Sequence, residues 1–225
     1  MMLDNPVAIR KNKTIYKDGN TIIKLFVEGH PKSEVLNEAL NLARVDESSN
    51  LNVPKLLEVK KIDNRWALIS EYVEGKTITE LMRENPEKIE HYLDLFVKVQ
   101  LVSLNNEVPM LNRIKEKFRR KLENAENIDD NTRYELLQRL EGMKIDNKLC
   151  HGDFHPSNVI VQEDGTVFVI DWSHVTQGNA EADAARSYLL FAMDDNEEIA
   201  NTYLELKKEA KTLYGKTKSS DYWGI

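Results

Sequence analysis

The sequence changes character near Gly75, and this change limits the possible folds more than any other feature. Before it, short runs of β-branched and aromatic residues alternate with turn residues. This pattern predicts strands at residues 7–10, 14–17, 21–26, 55–60 and 66–72. One helix is predicted at residues 33–45, where apolar residues recur at helical spacing after Ser33 as the N-cap. The first third of the chain therefore predicts a β-rich unit with a single helix.

After Gly75 helical patterns dominate, and they predict helices at residues 77–85, 86–106, 110–128, 132–144 and in the segment that ends near residue 213. A predicted hairpin interrupts them, with strands at residues 158–162 and 166–170. We therefore expect an α+β fold of two lobes. Residues 1–76 would form a small β-rich N-lobe that ends in a hinge at 72–76, and residues 77–225 a mainly helical C-lobe.

The charge and the cysteine content limit the classes of partner and the compartment. The net charge is −7, and residues 145–225 carry 7 Lys or Arg against 14 Asp or Glu. Nucleic-acid binding favours the opposite sign, so no nucleic-acid partner is expected. One cysteine and an N-terminus unlike a signal peptide favour a reducing compartment. No apolar stretch is long enough to span a bilayer, so we expect a cytoplasmic protein without a membrane partner.

The densest group of chemically active side chains lies at residues 150–158, CHGDFHPSN, and is followed by VIDW at residues 169–172. Phosphoryl transfer needs a carboxylate that takes the proton of the acceptor hydroxyl, and oxygen ligands for Mg²⁺. Asp153 and Asn158 have the spacing of the catalytic Asp and the metal-binding Asn in kinase catalytic loops. Asp171 follows on a predicted strand. The pattern predicts ATP- and Mg²⁺-dependent phosphotransfer, with Asp153 as base and with Asn158 and Asp171 as metal ligands.

Residues 151–158 (HGDFHPSN) and 170–172 (IDW) together resemble the signature of the aminoglycoside phosphotransferase family, which includes choline-kinase-like and other small-molecule kinases. Residues 182–188 (ADAARSY) resemble the helix that follows in that family. The resemblance implies a protein-kinase-like fold and transfer of the ATP γ-phosphate to a hydroxyl of a small molecule. It also implies that Asp183 is a buried anchor for the catalytic loop.

The N-terminal part offers residues for a nucleotide site. Lys24 lies in an apolar predicted strand, where a buried ammonium needs an anionic partner. Glu38 shares the helix face that must pack on the sheet and is the preferred partner, with Glu34 one turn earlier as the alternative. Lys24 would contact the phosphates while Glu38 positions it. In the hinge-like run at residues 70–75, Glu71 and Val73 would offer backbone groups to the adenine.

The segment that should carry a glycine-rich phosphate loop departs from the kinase pattern. Residues 10–14 are RKNKT and contain no glycine. The positive charges of Lys11 and Lys13 offer a compensation. The missing glycines also leave open a pseudokinase that binds nucleotide without turnover.

Two further alternatives follow from other features of the sequence. A small atypical protein kinase would share the fold, but the acidic C-terminal part does not favour a basic peptide-binding surface. Cys150, His151 and His155 are residue types that bind zinc, which leaves a metal-dependent hydrolase as an alternative. The more favoured interpretation is that both histidines brace the loop and that Cys150 is a buried small residue.

The acidity near the C-terminus bears on the acceptor. Five acidic residues cluster after the predicted catalytic hairpin: Glu181, Asp194, Asp195, Glu197 and Glu198. A cleft of one charge sign concentrates ligands of the opposite sign, which would favour an amino sugar or an amino alcohol. Solubility, or complementation of a helix dipole by acids in its first turn, explains the same residues without a ligand.

Overall fold

The computed structural model describes residues 6–194 and 197–214. The chain forms two compact units, the first made of Met1–Glu84 with Pro156–Ser173 and the second of Asn85–His155 with His174–Ile225. The segment 156–173 thus belongs with the N-terminal unit although it follows the helical region in sequence. The lobe boundary between residues 76 and 77 stays a sequence-based prediction.

The described residues contain ten strands and seven α-helices. The strands are β1 Ala8–Ile9, β2 Lys13–Asp18, β3 Thr21–Phe26, β4 Leu56–Ile62, β5 Arg65–Glu71, β6 Lys76–Thr77, β7 Lys148–Cys150, β8 Val159–Val161, β9 Val167–Val169 and β10 Thr176–Gly178. The helices are α1 Lys32–Ser48, α2 Ile78–Glu84, α3 Ile89–Leu104, α4 Ile114–Glu123, α5 Asp130–Gly142, α6 Ala180–Met193 and α7 Glu197–Tyr214. None of these helices combines the length and the apolar composition needed to cross a membrane.

The first unit is built on an antiparallel sheet with the strand order β1-β2-β3-β5-β4. Two-residue turns set the register. Gly19 joins β2 to β3 with φ 56°, and Asp63 and Asn64 join β4 to β5 with φ 47° and 62°. Glycine, Asp and Asn tolerate this left-handed region, and hairpins of this kind need it. A smaller sheet, β6-β8-β9, carries the hairpin predicted at residues 158–170.

Helix α1 packs on the sheet through an apolar stripe. Val35 and Ala39 are buried in one cluster with Phe26 of β3 and Leu68 of β5. The prediction of Ser33 as N-cap is wrong, since Pro31 holds that position and Ser33 is the second helical residue. Proline needs no amide donor at a helix start, where the first amides have no partner within the helix. The buried stripe decides which face of α1 turns toward the sheet.

The second unit is mainly helical around a buried aromatic cluster. Phe96 of α3 lies 4.8 Å from Phe154 and 5.6 Å from Phe191 of α6, measured between ring centroids. The ribbon of β7 and β10 is antiparallel. The helix predicted at residues 110–128 is shorter, because α4 covers only Ile114–Glu123. The aromatic cluster supports the loop that follows β7, because Phe154 belongs to that loop.

A buried hydrogen-bond chain fixes the same loop from behind. The hydroxyl of Ser187 in α6 donates to the carbonyl oxygen of Phe154 at 2.8 Å. The side-chain amide of Gln100 in α3 donates to that hydroxyl at 2.9 Å, and Tyr203 of α7 donates to Gln100 at 2.6 Å. Buried polar groups are costly unless they are paired, so this chain couples three helices to the loop.

Candidate active site

Lys24 lies in the middle of β3 and joins two carboxylates. Its Nζ donates to Oε1 of Glu38 at 2.7 Å and to Oδ1 of Asp171 at 2.9 Å. Burial alone lowers the pKa of an ammonium, but the carboxylates of Asp171 and Glu38 outweigh it and raise the pKa of Lys24 above its ordinary value. Lys24 therefore keeps its charge at neutral pH.

Helix α1 determines which glutamate meets Lys24. Glu38 is on the buried stripe and is 9% exposed. Glu34 points to solvent, where its Oε2 lies 3.3 Å from Nε2 of His30. The structure thus pairs Lys24 with Glu38 and not with Glu34. Residues three or four positions apart share a helix face, so the buried stripe carries Glu38 toward the sheet.

Asp171 follows β9 in an unusual backbone conformation. Its φ is 61°, in the left-handed region that Asp enters more readily than most residues. The indole of the next residue, Trp172, is buried and donates to the carbonyl oxygen of Val169 at 3.0 Å. This anchor holds the turn that directs Asp171 at Lys24. Strained backbone of this kind is concentrated at functional sites, where surrounding structure maintains it.

Asn158 ends a single 3-10 turn, Pro156–Asn158, just before β8. Its carbonyl oxygen accepts a hydrogen bond from the amide of Ile170 at 2.9 Å. Since Ile170 directly precedes Asp171, the β8–β9 hairpin ties the backbones around both predicted metal ligands together. Carboxylate and amide oxygens are hard donors of the kind that Mg²⁺ accepts.

Lys13 is a second lysine at the same cluster, whereas the sequence predicted only a compensating charge for it. It is 8% exposed, and its Nζ lies 3.4 Å from Oε1 of Glu38 and 3.7 Å from Oδ1 of Asp171. The hairpin register contains the signal that locates it. Ile15 of β2 lies opposite Lys24, and residues two apart share a sheet face, so Lys13 lies on the same face as Lys24.

The hinge residues differ in what they can offer a ligand. The amide of Glu71 donates to the carbonyl oxygen of Lys55 at 3.0 Å, and the amide of Tyr72 donates to Asn20 at 2.9 Å. Val73 is buried, and its amide has no hydrogen-bond partner within residues 6–194 and 197–214. Val73 is therefore the hinge residue whose amide is available to a ligand, whereas the Glu71 amide is already in use.

Asp153 belongs to the second unit and is half-buried in the loop after β7. Its amide donates to Nδ1 of His151 at 3.3 Å. Its Oδ1 lies 3.7 Å from Nη2 of Arg186 on α6. His151 is completely buried, so it braces the loop through that backbone contact. Arg186 thus lies within ion-pair distance of Asp153.

Gly152 and Asp183 fix the backbone next to Asp153. The amide of Gly152 donates to Oδ1 of Asp183 at 2.6 Å, and Asp183 is 2% exposed. Burial raises the pKa of Asp183, while the Gly152 amide opposes that rise. Gly152 has φ 79°, and a Cβ there would lie 2.5 Å from the carbonyl oxygen of His174. The position therefore requires glycine, and Asp183 anchors the loop as the family resemblance implied.

The residues of the zinc alternative have other surroundings. Cys150 is fully buried, and burial raises the pKa of its thiol above its ordinary range. His155 Nε2 lies 3.5 Å from Oδ2 of Asp194. Among the described residues, no group of three or more His, Cys, Asp or Glu is arranged to hold a metal ion.

The acidic residues expected to attract a cationic acceptor are dispersed. Glu181 is exposed in the first turn of α6, and Glu197 and Glu198 are exposed in the first turn of α7. Asp194 lies beside His155, and Asp195 falls outside the described residues. First-turn acids interact favourably with the helix dipole, so their positions have an explanation that needs no ligand.

Comparison of the sequence with models of known protein families identifies the family of this chain. The sequence matches the phosphotransferase enzyme family (APH) over residues 12–217. This chain belongs to the phosphotransferase enzyme family. The comparison with curated proteins finds no significant match.

Solved structures of aminoglycoside phosphotransferases share its fold. A type VIII aminoglycoside-3′-phosphotransferase is similar with TM-score 0.60 and 18% identity, over 98% of this chain and 88% of that chain. APH(4)-Ia, a thermostable mutant bound to ADP and hygromycin B, has TM-score 0.64 and 14% identity, over 94% and 78%. APH(3″)-Id from Streptomyces rimosus, bound to ADP and streptomycin, has TM-score 0.60 and 18% identity, over 97% and 88%. At these identities the likeness shows the fold alone.

The phosphotransferase family confirms the resemblance that the motifs at residues 151–158 and 170–172 indicated. The α+β, kinase-like fold class is confirmed as well, since the strands concentrate in the N-terminal part and the helices in the C-terminal part. The expectation of an enzyme that transfers phosphoryl groups to small molecules is confirmed at the level of the family. The roles of the individual site residues remain predictions.

Proposed function

We propose that this phosphotransferase moves the γ-phosphate of ATP to a hydroxyl group of a small molecule. The observation that carries the proposal is the pairing of Lys24 with both Glu38 and Asp171. A buried lysine held between two carboxylates is oriented before any ligand arrives, and Lys13 beside it brings a second ammonium group for the phosphates. The ADP complexes of the two relatives support nucleotide as the donor.

In the first unit, the proposed roles follow from the chemistry of the side chains. Lys24 contacts the nucleotide phosphates while Glu38 holds its position, and Lys13 adds a second positive charge where the glycine-rich loop is missing. Val73, with its available amide, and Glu71 bind the adenine through the backbone. Each of these interactions binds or orients the donor and none moves a proton.

Magnesium fits the donor set of the first unit. Asp171 supplies a carboxylate and Asn158 an amide oxygen, both hard ligands suited to Mg²⁺. When bound, Mg²⁺ would neutralise charge on the phosphate oxygens during transfer. Lys24 and Lys13 lie 2.9 and 3.7 Å from Oδ1 of Asp171 and hold this side chain in place.

In the second unit, Asp153 acts on the acceptor. The acceptor oxygen forms a bond to the γ-phosphorus, and the bond between that phosphorus and the bridging oxygen of ADP breaks. The proton of the acceptor hydroxyl passes to the carboxylate of Asp153. The anchored Gly152 amide and the buried His151 keep this carboxylate in place for the transfer.

A panel of hydroxyl compounds would identify the acceptor. The hygromycin B and streptomycin complexes of the relatives support an amino sugar or an amino alcohol. Turnover should therefore be measured with cationic, neutral and anionic hydroxyl compounds in the presence of ATP and Mg²⁺. Consumption of ATP that depends on none of these acceptors would count against a small-molecule kinase.

The binding test of the proposal is a titration of ATP with and without Mg²⁺. Wild type should bind ATP more tightly with Mg²⁺, and Asp171→Ala should lose this difference because it removes the charged ligand. Asp18→Ala, an exposed position in the same unit, is the matched control and should behave as wild type. Equal ATP affinity in both conditions for wild type would refute the proposal.

A further inference from the structure

A cavity of about 220 Å³ lies within the second unit, beside the loop that carries Asp153. Helix α4 contributes Lys117 and Lys121, α6 contributes Arg186, and the loop contributes Gly152. Arg186 both lines the cavity and approaches the carboxylate of Asp153. A cavity of this volume is smaller than typical ligand pockets, so it suits one chemical group of a larger molecule.

The cavity has an excess of positive charge on its α4 side. Lys117 and Lys121 are four positions apart, which places two like charges on one helix face at a cost in free energy. Neither lysine forms an ion pair with a carboxylate in the part of the chain that the structure describes, although the charges of Asp153 and Asp183 act on Lys117 from a greater distance. Two lysines on one helix face are usually both exposed to solvent, but Lys117 is half-buried.

Two carboxylates lie near these three cations: Asp183, which itself lines the cavity, and Asp153. Asp183 accepts a hydrogen bond from the amide of Gly152, and burial raises its pKa. Asp153 lies 3.7 Å from Arg186. The three cations therefore exceed the anionic charge that the surrounding side chains provide.

Thr176 supplies an independent observation that points to a ligand group in the cavity. It lies in β10, lines the cavity and is 1% exposed. Its Oγ1 has no hydrogen-bond partner within residues 6–194 and 197–214. A buried hydroxyl without a partner costs about 1–3 kcal/mol, and such a group in a native site requires an explanation.

The environment of Lys117 points the same way. Its Nζ donates to the carbonyl oxygen of His174 at 2.7 Å, which directs the ammonium into the region of the cavity. Burial, followed by the charge of Lys121, lowers the pKa of Lys117 to about 8. A bound anion would compensate both effects, because it neutralises the like charges and stabilises the protonated amine.

We propose that this cavity binds an oxyanion, a phosphate or carboxylate group, of the acceptor molecule. The proposal rests on the proposed function, because the adjacent Asp153 assigns the cavity to the acceptor. Lys117 and Lys121 supply charge, Arg186 supplies a planar pair of donors suited to an oxyanion, and Thr176 supplies a hydroxyl. The acceptor is thus a hydroxyl compound with an anionic group, and this holds whether or not it also carries an amine.

The test is a calorimetric titration of the full chain with inorganic phosphate, which carries the shared chemistry of both possible anions. Wild type should bind phosphate, and Lys117→Met should weaken binding at least about tenfold through loss of one charge-assisted contact. Lys121→Met, at an exposed position that tolerates substitution, should also weaken it. Arg120→Met removes a charge from the same helix outside the cavity and should leave the affinity unchanged.

A second experiment distinguishes whether the anionic group belongs to the acceptor or to the nucleotide. Phosphate should bind equally well with and without saturating MgATP. Displacement of phosphate by MgATP would assign the cavity to the nucleotide phosphates and overturn the proposal. Absence of phosphate binding, or equal binding by wild type, Lys117→Met and Lys121→Met, would overturn it as well.

These outcomes distinguish failure of the oxyanion site from failure of the proposed function. A chain that binds MgATP but no phosphate would retain the phosphotransferase proposal and lose the oxyanion site. A chain that binds phosphate through Lys117 and Lys121 but fails to bind MgATP would retain the oxyanion site and lose the proposed donor.

Discussion

The two clusters of lysines in this protein are built in opposite ways. Around Lys24, two ammonium groups meet two carboxylates, and all four side chains belong to the first unit. Around Lys117, two lysines and an arginine line a cavity together with the carboxylate of Asp183, so the positive charges there outnumber the negative ones. Both clusters involve buried or half-buried ammonium groups, yet the pKa of Lys24 is raised and that of Lys117 is lowered.

The charge balance of each cluster determines how it would bind a ligand. A balanced cluster is stable without a ligand, because each buried charge has a partner, and it keeps its side chains oriented. In an unbalanced cluster the like charges repel one another until an anion binds. Because the anion relieves this repulsion, such a cluster binds it more tightly than a balanced cluster would. We infer that the first unit is organised in advance for donor and metal, whereas the cavity of the second unit depends on its ligand.

The largest expected effect is on turnover, and it distinguishes proton transfer in the second unit from donor binding in the first. Asp153→Asn should lower turnover by about 10²-fold or more, because the proton acceptor is lost. Its ATP affinity should stay near that of wild type. Steady-state kinetics and an ATP titration measure the two quantities. Asp94→Asn, which removes a surface ion pair with Lys98, is the control, and near wild-type turnover by Asp153→Asn would refute the assignment.

The next effect ranks the two lysines of the balanced cluster. Lys24→Met should weaken MgATP binding about tenfold or more, the effect of losing one or two charge-assisted contacts. Lys13→Met should weaken it less, since Lys13 lies 3.4 Å from Glu38 whereas Lys24 lies at 2.7 Å. Titration of each variant with MgATP measures the ranking, and Lys60→Met on β4 is the control. A larger loss for Lys13→Met would reverse the assigned roles.

A smaller effect tests the unpaired hydroxyl of the unbalanced cluster. Thr176→Val replaces a buried hydroxyl that lacks a partner by a methyl group of similar size. Without phosphate, the free energy of unfolding should rise by about 1 kcal/mol, because the unsatisfied group is removed. In phosphate the gain should shrink or vanish. Urea denaturation with and without phosphate measures this, and a loss of stability in both conditions would contradict the cavity argument.

The smallest effect is a pH dependence caused by Lys117. Its pKa is about 8 in the folded protein against an ordinary 10.5, so between these values the unfolded chain binds more protons. Stability should therefore rise with pH in this window. Lys121, Asp153, Asp183 and Arg186 face Lys117, so the measured quantity is the difference between wild type and Lys117→Met. If that difference is flat from pH 8 to 10, Lys117 is not buried as the structure has it.

Local sequence patterns were sufficient to predict much of the fold. The turn at Gly19, the turn at Asp63 and Asn64, and the hairpin that leads to Asp171 all follow from short-range signals. The face of α1 that holds Glu38 follows from helical spacing. The start of α1 at Lys32 and the short extent of α4 did not follow, because helix ends depend on contacts that propensity does not contain.

By itself, the sequence determined the two kinds of region, the family and the identity of the candidate catalytic residues, because these depend on patterns within about 20 neighbouring residues. Tertiary structure alone decided that Lys13 and Lys24 both meet Asp171, since that residue is far from them in sequence. It also decided that Lys117, Thr176 and Arg186 line one cavity. Those three residues come from a helix, a strand and another helix, and side chains distant in sequence meet only when burial of the apolar faces brings their elements together.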